Sequence, residues 1–172
     1  MCRRRQKITV AALYGIIDAA RDPRLYPMVA VASEHVSLFA GELKPPLERV
    51  APYLVRLDPE AELTTAWHSQ GWGKSWGILC LSSLSLSELR KHFRQFLQAS
   101  LSDGQVGLFR YYDPRVFRAY LPTCEARDLA AWFVGIDEFR VESADGQGVH
   151  FLRLRENRLE VGGTLLPPSP IA

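Results

Sequence analysis

The side chains that could carry out acid–base, nucleophilic or metal chemistry are scattered along this sequence. None of its four histidines forms an HxxxH or HxH pair of the kind that binds a metal ion: His35, His68, His92 and His150. The sequence also contains no P-loop, GxGxxG or GxSxG motif. We therefore predict that the protein is not an enzyme and has no catalytic residues, metal site or cofactor. A hydrolase built from distant positions, with Ser82 or Cys124 beside His68 and an aspartate, stays open as an alternative.

The cysteines give no sign of a metal site or a disulfide framework. Cys2, Cys80 and Cys124 are odd in number and widely spaced, so no two form the close pair that metal binding favours. Reduced thiols are expected. Cys80 lies in an apolar run, where a cysteine usually serves as a small buried hydrophobe. His92 has no second ligand at metal spacing, and we predict a structural role for it.

Two Trp-Gly pairs lie four residues apart, just before this apolar run. We call residues 72–77 the Trp-Gly loop; its pairs are Trp72-Gly73 and Trp76-Gly77. Glycine permits a positive φ or a close approach between backbones, and each tryptophan carries a large apolar area. The loop is either a turn that seals the core or an exposed aromatic anchor for a partner. We favour the turn because large aromatics are mostly buried, and this interpretation predicts that Trp72→Ala unfolds the protein.

A second constellation, the RYYDPR segment, consists of Arg110, Tyr111, Tyr112, Asp113, Pro114 and Arg115. The aromatic and aliphatic residues at 106–112 predict a strand, whose alternation sends Tyr111 and Tyr112 to opposite faces. Asp113 and Pro114 are expected to end it. Arg110, Asp113 and Arg115 then form either an ion-pair network that fixes the turn or an arginine pair presented to a carboxylate or phosphate. The sequence does not decide between these two interpretations.

Helices and strands alternate along the chain. A capping-box pattern at 85–88 opens an amphipathic helix predicted over 88–99, whose basic face is either an ordinary solvated face or a surface for an acidic partner. We favour the solvated face. Thr123 is expected to cap a further helix, and turns at 145–146 and 156–157 predict two C-terminal hairpins. The predicted fold class is α/β, with α+β possible: a mixed β-sheet flanked by helices and followed by a β-hairpin appendix.

Composition places the chain among ordinary single domains. It has 172 residues, 47% hydrophobic and 23% charged, and a net charge of +2, which is too small to predict nucleic-acid binding. No stretch approaches the ~20 apolar residues of a membrane helix. Three arginines before the apolar residues 8–20 imitate a secretion signal, but Asp18 interrupts the apolar part. We expect a cytoplasmic protein, with a cleaved signal as the alternative.

Several stretches occur in a characteristic order: LYGIIDAA at 13–20, APYLV at 51–55, WG at 72–73 and 76–77, FRYYDPRV at 109–116 and LPT at 121–123. This set resembles the effector-chaperone domain of type VI secretion systems, a family first catalogued as a domain of unknown function. FRYYDPRV following WGxxWG is the most specific part. The resemblance spans residues 13–136 and suggests four parts: a basic tail with the start of the first strand at 1–12, the chaperone-like domain at 13–136, the hairpin appendix at 137–163 and a disordered Pro-rich tail at 164–172.

The resemblance implies a cytoplasmic adaptor that binds a toxic effector, often near the effector's N-terminus, and helps to load it onto the VgrG spike protein. The C-terminal region of VgrG is a further candidate contact; no nucleic acid or membrane is implied, and the oligomeric state is left open. The residues that match the family motifs either hold the fold or bind a partner: Trp72, Gly73, Trp76, Gly77, Arg110, Tyr112, Asp113, Pro114 and Arg115. We favour the fold, since adaptors that serve different effectors need a common architecture. An immunity protein that neutralises a toxin is the main alternative.

Overall fold

A computed structural model describes residues 10–100 and 103–165. The predicted basic tail, up to residue 9, and the Pro-rich tail from residue 166 lie outside the described residues. The strands are β1 Ala12–Asp18, β2 His35–Ser37, β3 Pro52–Arg56, β4 Gly77–Ser82, β5 Gln98–Ser100, β6 Val106–Leu108, β7 Ile136–Glu142, β8 Gly148–Arg155 and β9 Arg158–Leu165. The α-helices are α1 Leu25–Ala30, α2 Glu62–Ala66, α3 Leu86–Arg94, α4 Pro114–Tyr120 and α5 Ala126–Trp132.

Seven strands form one central sheet in the order β2-β3-β1-β4-β7-β8-β9, and β5 pairs with β6 in a small second sheet. Every described strand pairing is antiparallel, so the fold prediction is confirmed in its α+β form. Both C-terminal hairpins are present, with turns at Asp145-Gly146 and Glu156-Asn157. Glu156 and Asn157 have φ angles of 48° and 60°, as a two-residue type I′ turn requires. The hairpins continue the central sheet, because β7 pairs with β4.

Two hydrophobic cores cover the two faces of the sheet, and alternation along β1 sends Ile16 into one and Ile17 into the other. The larger core is covered by α3, α4 and α5, and its members include Tyr14, Ile16, Ile78, Cys80, Phe93, Tyr111, Phe117, Trp132 and Phe139. The smaller core is covered by α1 and α2, and its members include Ile17, Leu25, Val29, Tyr53, Val55, Leu63, Trp67, Trp76 and Leu79. Most of the aromatic residues thus lie inside the protein.

Helix α3 begins at Leu86, two residues before the predicted start, and ends earlier than predicted. The Ser85 side chain accepts a hydrogen bond from the Glu88 backbone, and the Glu88 side chain accepts one from the Ser85 backbone, so the capping box is present. The predicted extension to residue 99 is wrong: α3 ends at Arg94 and residues 98–100 form β5. The apolar pattern continues past the helix because Phe96 and Leu97 still pack against the core from the turn that follows.

The strand predicted over 106–112 is also wrong beyond Leu108. The backbone N–H of Asp113 donates to the Arg110 carbonyl at 3.0 Å, which makes residues 110–113 a turn. Tyr111 and Tyr112 therefore do not alternate between faces; both are buried in the larger core. Asp113 and Pro114 do not merely end a strand but begin α4, a helix that the sequence analysis missed. The prediction that Thr123 caps the next helix is wrong: Thr123 lies in a short 3-10 helix, and Glu125 occupies the cap position before α5.

Over the residues that the structure describes, no helix is long and apolar enough to cross a membrane.

Candidate functional site

The Trp-Gly loop and the RYYDPR segment meet at one end of the central sheet, where β1 ends, β4 begins and β7 ends. Asp18, the last residue of β1, joins them: its backbone N–H donates to the Trp76 carbonyl at 2.8 Å, and its buried carboxylate accepts a hydrogen bond from Arg110. The Arg110 guanidinium also lies 5.9 Å from the centre of the Tyr112 ring. We call Asp18, the Trp-Gly loop, the RYYDPR segment and Glu142 the motif cluster.

Glu142, the last residue of β7, is the second buried carboxylate that joins these parts. It accepts hydrogen bonds from the Gly73 N–H at 2.7 Å, the Ser75 N–H at 3.2 Å and the Ser75 hydroxyl at 3.0 Å. The loop can aim both backbone N–H groups at one carboxylate because Gly73 and Ser75 have φ angles of 76° and 55°. The Glu142 carbonyl in turn accepts from Arg118 of α4 at 2.6 Å.

The two tryptophans of the Trp-Gly loop lie in different environments. Trp76 is buried, with its ring 6.1 Å from that of Trp67, and Gly71 packs so closely that a Cβ there would come within 2.8 Å of the Trp76 ring. Trp72 is half-buried, and its ring lies edge-on to the Trp67 ring with the two ring centres 6.0 Å apart. Only glycine fits at position 77, because a Cβ there would lie 2.1 Å from the Ile16 carbonyl oxygen. The loop thus seals the smaller core mainly through Trp76.

In the RYYDPR segment, Asp113 caps α4. Its carboxylate accepts from the Arg115 backbone at 3.0 Å and from the Arg115 side chain at 3.0 and 2.6 Å, and Pro114 occupies the first turn of the helix. The predicted network of Arg110, Asp113 and Arg115 is thus divided: Arg115 pairs with Asp113, but Arg110 pairs with Asp18. The Arg110 and Arg115 side chains both stay about half exposed, so they can still contact a partner.

Ionisation of Asp113 favours the folded state. Burial raises the pKa of Asp113, but the hydrogen bonds from the Arg115 side chain and backbone outweigh it, and the pKa lies below its ordinary value. Stability from this pair is therefore present above the unfolded pKa of ~3.9 and lost as the pH falls through the folded pKa.

We expect Asp113→Asn to be less stable than the wild type near neutral pH, since it keeps a capping oxygen but loses the ion pair. The difference in unfolding free energy should shrink as the pH falls from ~5 to ~2, because the wild-type carboxylate becomes protonated over this range. Urea denaturation across this pH range measures it. The exposed Asp137→Asn serves as the matched control. A constant difference would contradict this role for Asp113.

Ser82 and Cys124, the two candidate nucleophiles of the hydrolase alternative, form hydrogen bonds with backbone groups instead. The Ser82 hydroxyl is buried; it donates to the Gly135 carbonyl at 2.5 Å and accepts from the Leu84 N–H at 3.0 Å. The Cys124 thiol contacts the Tyr120 carbonyl at 3.7 Å, and burial raises its pKa. Within 10–100 and 103–165, neither residue forms a hydrogen bond with a histidine, and no group of three or more His, Cys, Asp or Glu side chains could hold a metal ion.

Two further predictions concern buried groups. His92 is buried, and its Nε2 donates to the Trp132 carbonyl at 3.1 Å; burial lowers its pKa despite this hydrogen bond. This agrees with the structural role predicted from the sequence. Cys80 is fully buried, and burial raises the pKa of its thiol. Neither side chain is presented to solvent for chemistry.

Two carboxylates that hold the motif cluster together could not be recognised from the sequence. In the sequence, Asp18 appears as a break in an apolar run and as part of the LYGIIDAA stretch, without a partner, and nothing singles out Glu142. Asp18 is 92 residues from Arg110, and Glu142 is 69 residues from Gly73. The available signal was the spacing of polar residues in β7, where Glu138, Arg140 and Glu142 alternate with apolar residues, but this pattern does not reveal a partner.

Fold and site together define a small α+β protein whose motif residues fasten one end of a seven-stranded antiparallel sheet. The chain belongs to the DUF4123 family, described as a domain of unknown function, because that family's model matches residues 13–131. Both motifs and Asp18 lie within the match, whereas β7, β8 and β9 follow it. No significant match was found among curated proteins or solved structures.

Proposed function

We propose that this protein is a cytoplasmic, non-enzymatic adaptor that binds a type VI secretion effector and helps to load it onto the VgrG spike. The client segment lies near the N-terminus of the effector, and the C-terminal region of VgrG is a second contact. One observation carries the proposal: the DUF4123 match over residues 13–131 contains every motif on which the resemblance to effector chaperones depends.

The motif cluster supports the division of labour that such an adaptor needs. Its acids and tryptophans are engaged within the protein: Asp18 with Arg110, Asp113 with Arg115, Glu142 with the Trp-Gly loop, and Trp76 with the smaller core. Motifs used in this way keep a common architecture, and the choice of effector falls to other surfaces. The strands β8 and β9, which follow the family match and lie outside the motif cluster, are one region where such adaptors can differ.

Capture of the tagged protein from its native bacterium, followed by mass spectrometry, tests the proposal. We expect the eluate to contain a VgrG protein or a large multidomain toxin that is missing from a tag-only control. Recombinant pieces of that toxin then locate the contact: binding to the N-terminal segment supports the adaptor. Binding only to the catalytic toxic domain would instead establish an immunity protein, and an eluate with neither a spike protein nor a toxin would contradict the proposal.

A further inference from the structure

A groove of about 590 Å³ lies between α3, the β5–β6 hairpin and the loop after β2. We call it the α3 groove. Its apolar lining comes from Leu38, Phe39, Leu97 and Leu108. Leu108 is 52% exposed, and Val106, two residues earlier and hence on the same face of β6, is 65% exposed. Two large aliphatic side chains of one short strand thus extend the apolar lining into solvent.

The rim of the α3 groove is basic. Arg90, Lys91 and Arg94 project from one face of α3, and no acidic side chain of the described chain lines the groove. Arg90 is fixed in place, because its guanidinium donates to the Ser37 carbonyl at 2.8 Å and to the Phe39 carbonyl at 3.0 Å. Lys91 and Arg94 are exposed, and neither has an acidic partner within 4.0 Å among the described residues.

We propose that the α3 groove binds an acidic segment of the partner protein in which carboxylates contact Lys91 and Arg94 while aliphatic side chains cover the exposed Val106 and Leu108. Charge complementarity selects the acidic residues, and the exposed aliphatic side chains select apolar residues between them. A nucleic acid would satisfy the rim, but its phosphate backbone would leave the aliphatic lining uncovered. The inference rests on the proposed function for the identity of the occupant, an effector segment.

Fluorescence anisotropy with defined peptides tests the groove without any captured partner. The probe is a short labelled peptide of alternating Glu and Leu; comparison peptides alternate Glu with Ser and Lys with Leu. We expect the Glu/Leu peptide to bind most tightly, and the double variant Lys91→Glu, Arg94→Glu to weaken its binding by about tenfold or more. Leu108→Ser should weaken the same peptide several-fold, and its exposed position makes the change compatible with folding.

The double variant Arg127→Glu, Arg158→Glu is the control for a general effect of net charge. It changes the net charge by the same amount as the groove variant, at two exposed positions outside the groove. This control should bind the Glu/Leu peptide like the wild type, and circular dichroism should show that all variants are folded. Three results would overturn the inference: no binding of the Glu/Leu peptide, equal losses in both double variants, or tighter binding of a single-stranded oligothymidine than of the peptide.

The two proposals fail in different ways. If the wild type captures an effector but the groove variants capture it equally well and the peptide does not bind, the groove inference fails and the adaptor proposal stands. If the Glu/Leu peptide binds in the α3 groove but neither an effector nor a spike protein is captured, the ligand chemistry stands and the adaptor proposal fails.

Discussion

Trp76→Ala should destabilise the protein by ~3–5 kcal/mol, because truncation of a buried tryptophan leaves a cavity that its neighbours cannot fill. Trp76 is 2% exposed, contacts the Trp67 ring and packs against Gly71, where the backbone approaches the ring closely. The expected loss is a large share of the stability of a domain of this size. Urea denaturation followed by far-ultraviolet circular dichroism measures it without relying on tryptophan fluorescence.

Trp72→Ala provides the matched control within the same loop, and its expected cost is only ~1–2 kcal/mol. The sequence alone predicted that this variant would unfold, but Trp72 is half-buried and contacts Trp67 only at a ring edge. Equal costs for the two variants would contradict the difference in burial. Because Trp72→Ala should stay folded, it can also be used in partner capture. A folded variant that loses its partner would place Trp72 in the interface.

Local signals in the sequence predicted local structure well. The capping box depends only on Ser85 and Glu88, whose side chains accept hydrogen bonds from each other's backbone N–H groups. The last hairpin turn likewise depends only on the backbone conformation of Glu156 and Asn157. Such features need no knowledge of which strands become neighbours, so they can be predicted from one sequence.

The RYYDPR segment shows why a local signal can still mislead. Tyr111 and Tyr112 suggested a strand, but aromatic residues indicate burial as much as they indicate strand, and both are buried from a turn. Asp113 followed by Pro114 is also the pattern of an N-cap followed by the first helical residue. Interpreted only as the end of a strand, Asp113 and Pro114 give no prediction of α4. The segment is a turn leading into a helix.

Long-range partners could not be predicted because they depend on the order of strands in the sheet. Asp18 meets Arg110, and Glu142 meets Gly73, only after β1, β4 and β7 lie side by side. The α3 groove has the same origin. The sequence showed the basic face of α3, but the aliphatic lining comes from β6 and from the loop after β2. Neither set of contacts follows from periodicity.

Glu142→Ala should cost ~3–5 kcal/mol, comparable to the loss of the Trp76 ring, because it leaves the buried N–H and hydroxyl of Ser75 without an acceptor and removes the acceptor of the part-buried Gly73 N–H. Glu142→Gln should cost less, ~1–2 kcal/mol, since the amide oxygen still accepts from the backbone of Gly73 or Ser75. Glu160→Ala, which removes an exposed carboxylate 3.5 Å from Arg155, should change the unfolding free energy by less than ~0.5 kcal/mol. Urea denaturation measures all three.

The two Glu142 variants also show whether the motif cluster only stabilises the fold or also binds a partner. If Glu142 acts only by fixing the Trp-Gly loop, Glu142→Gln should capture the partner in proportion to its folded fraction, and Glu142→Ala should lose capture and stability together. A loss of capture by fully folded Glu142→Gln would mean that the motif cluster itself contacts the partner, through the half-exposed guanidinium groups of Arg110 and Arg115. A cost below ~1 kcal/mol for Glu142→Ala would show that tryptophan packing alone holds the loop.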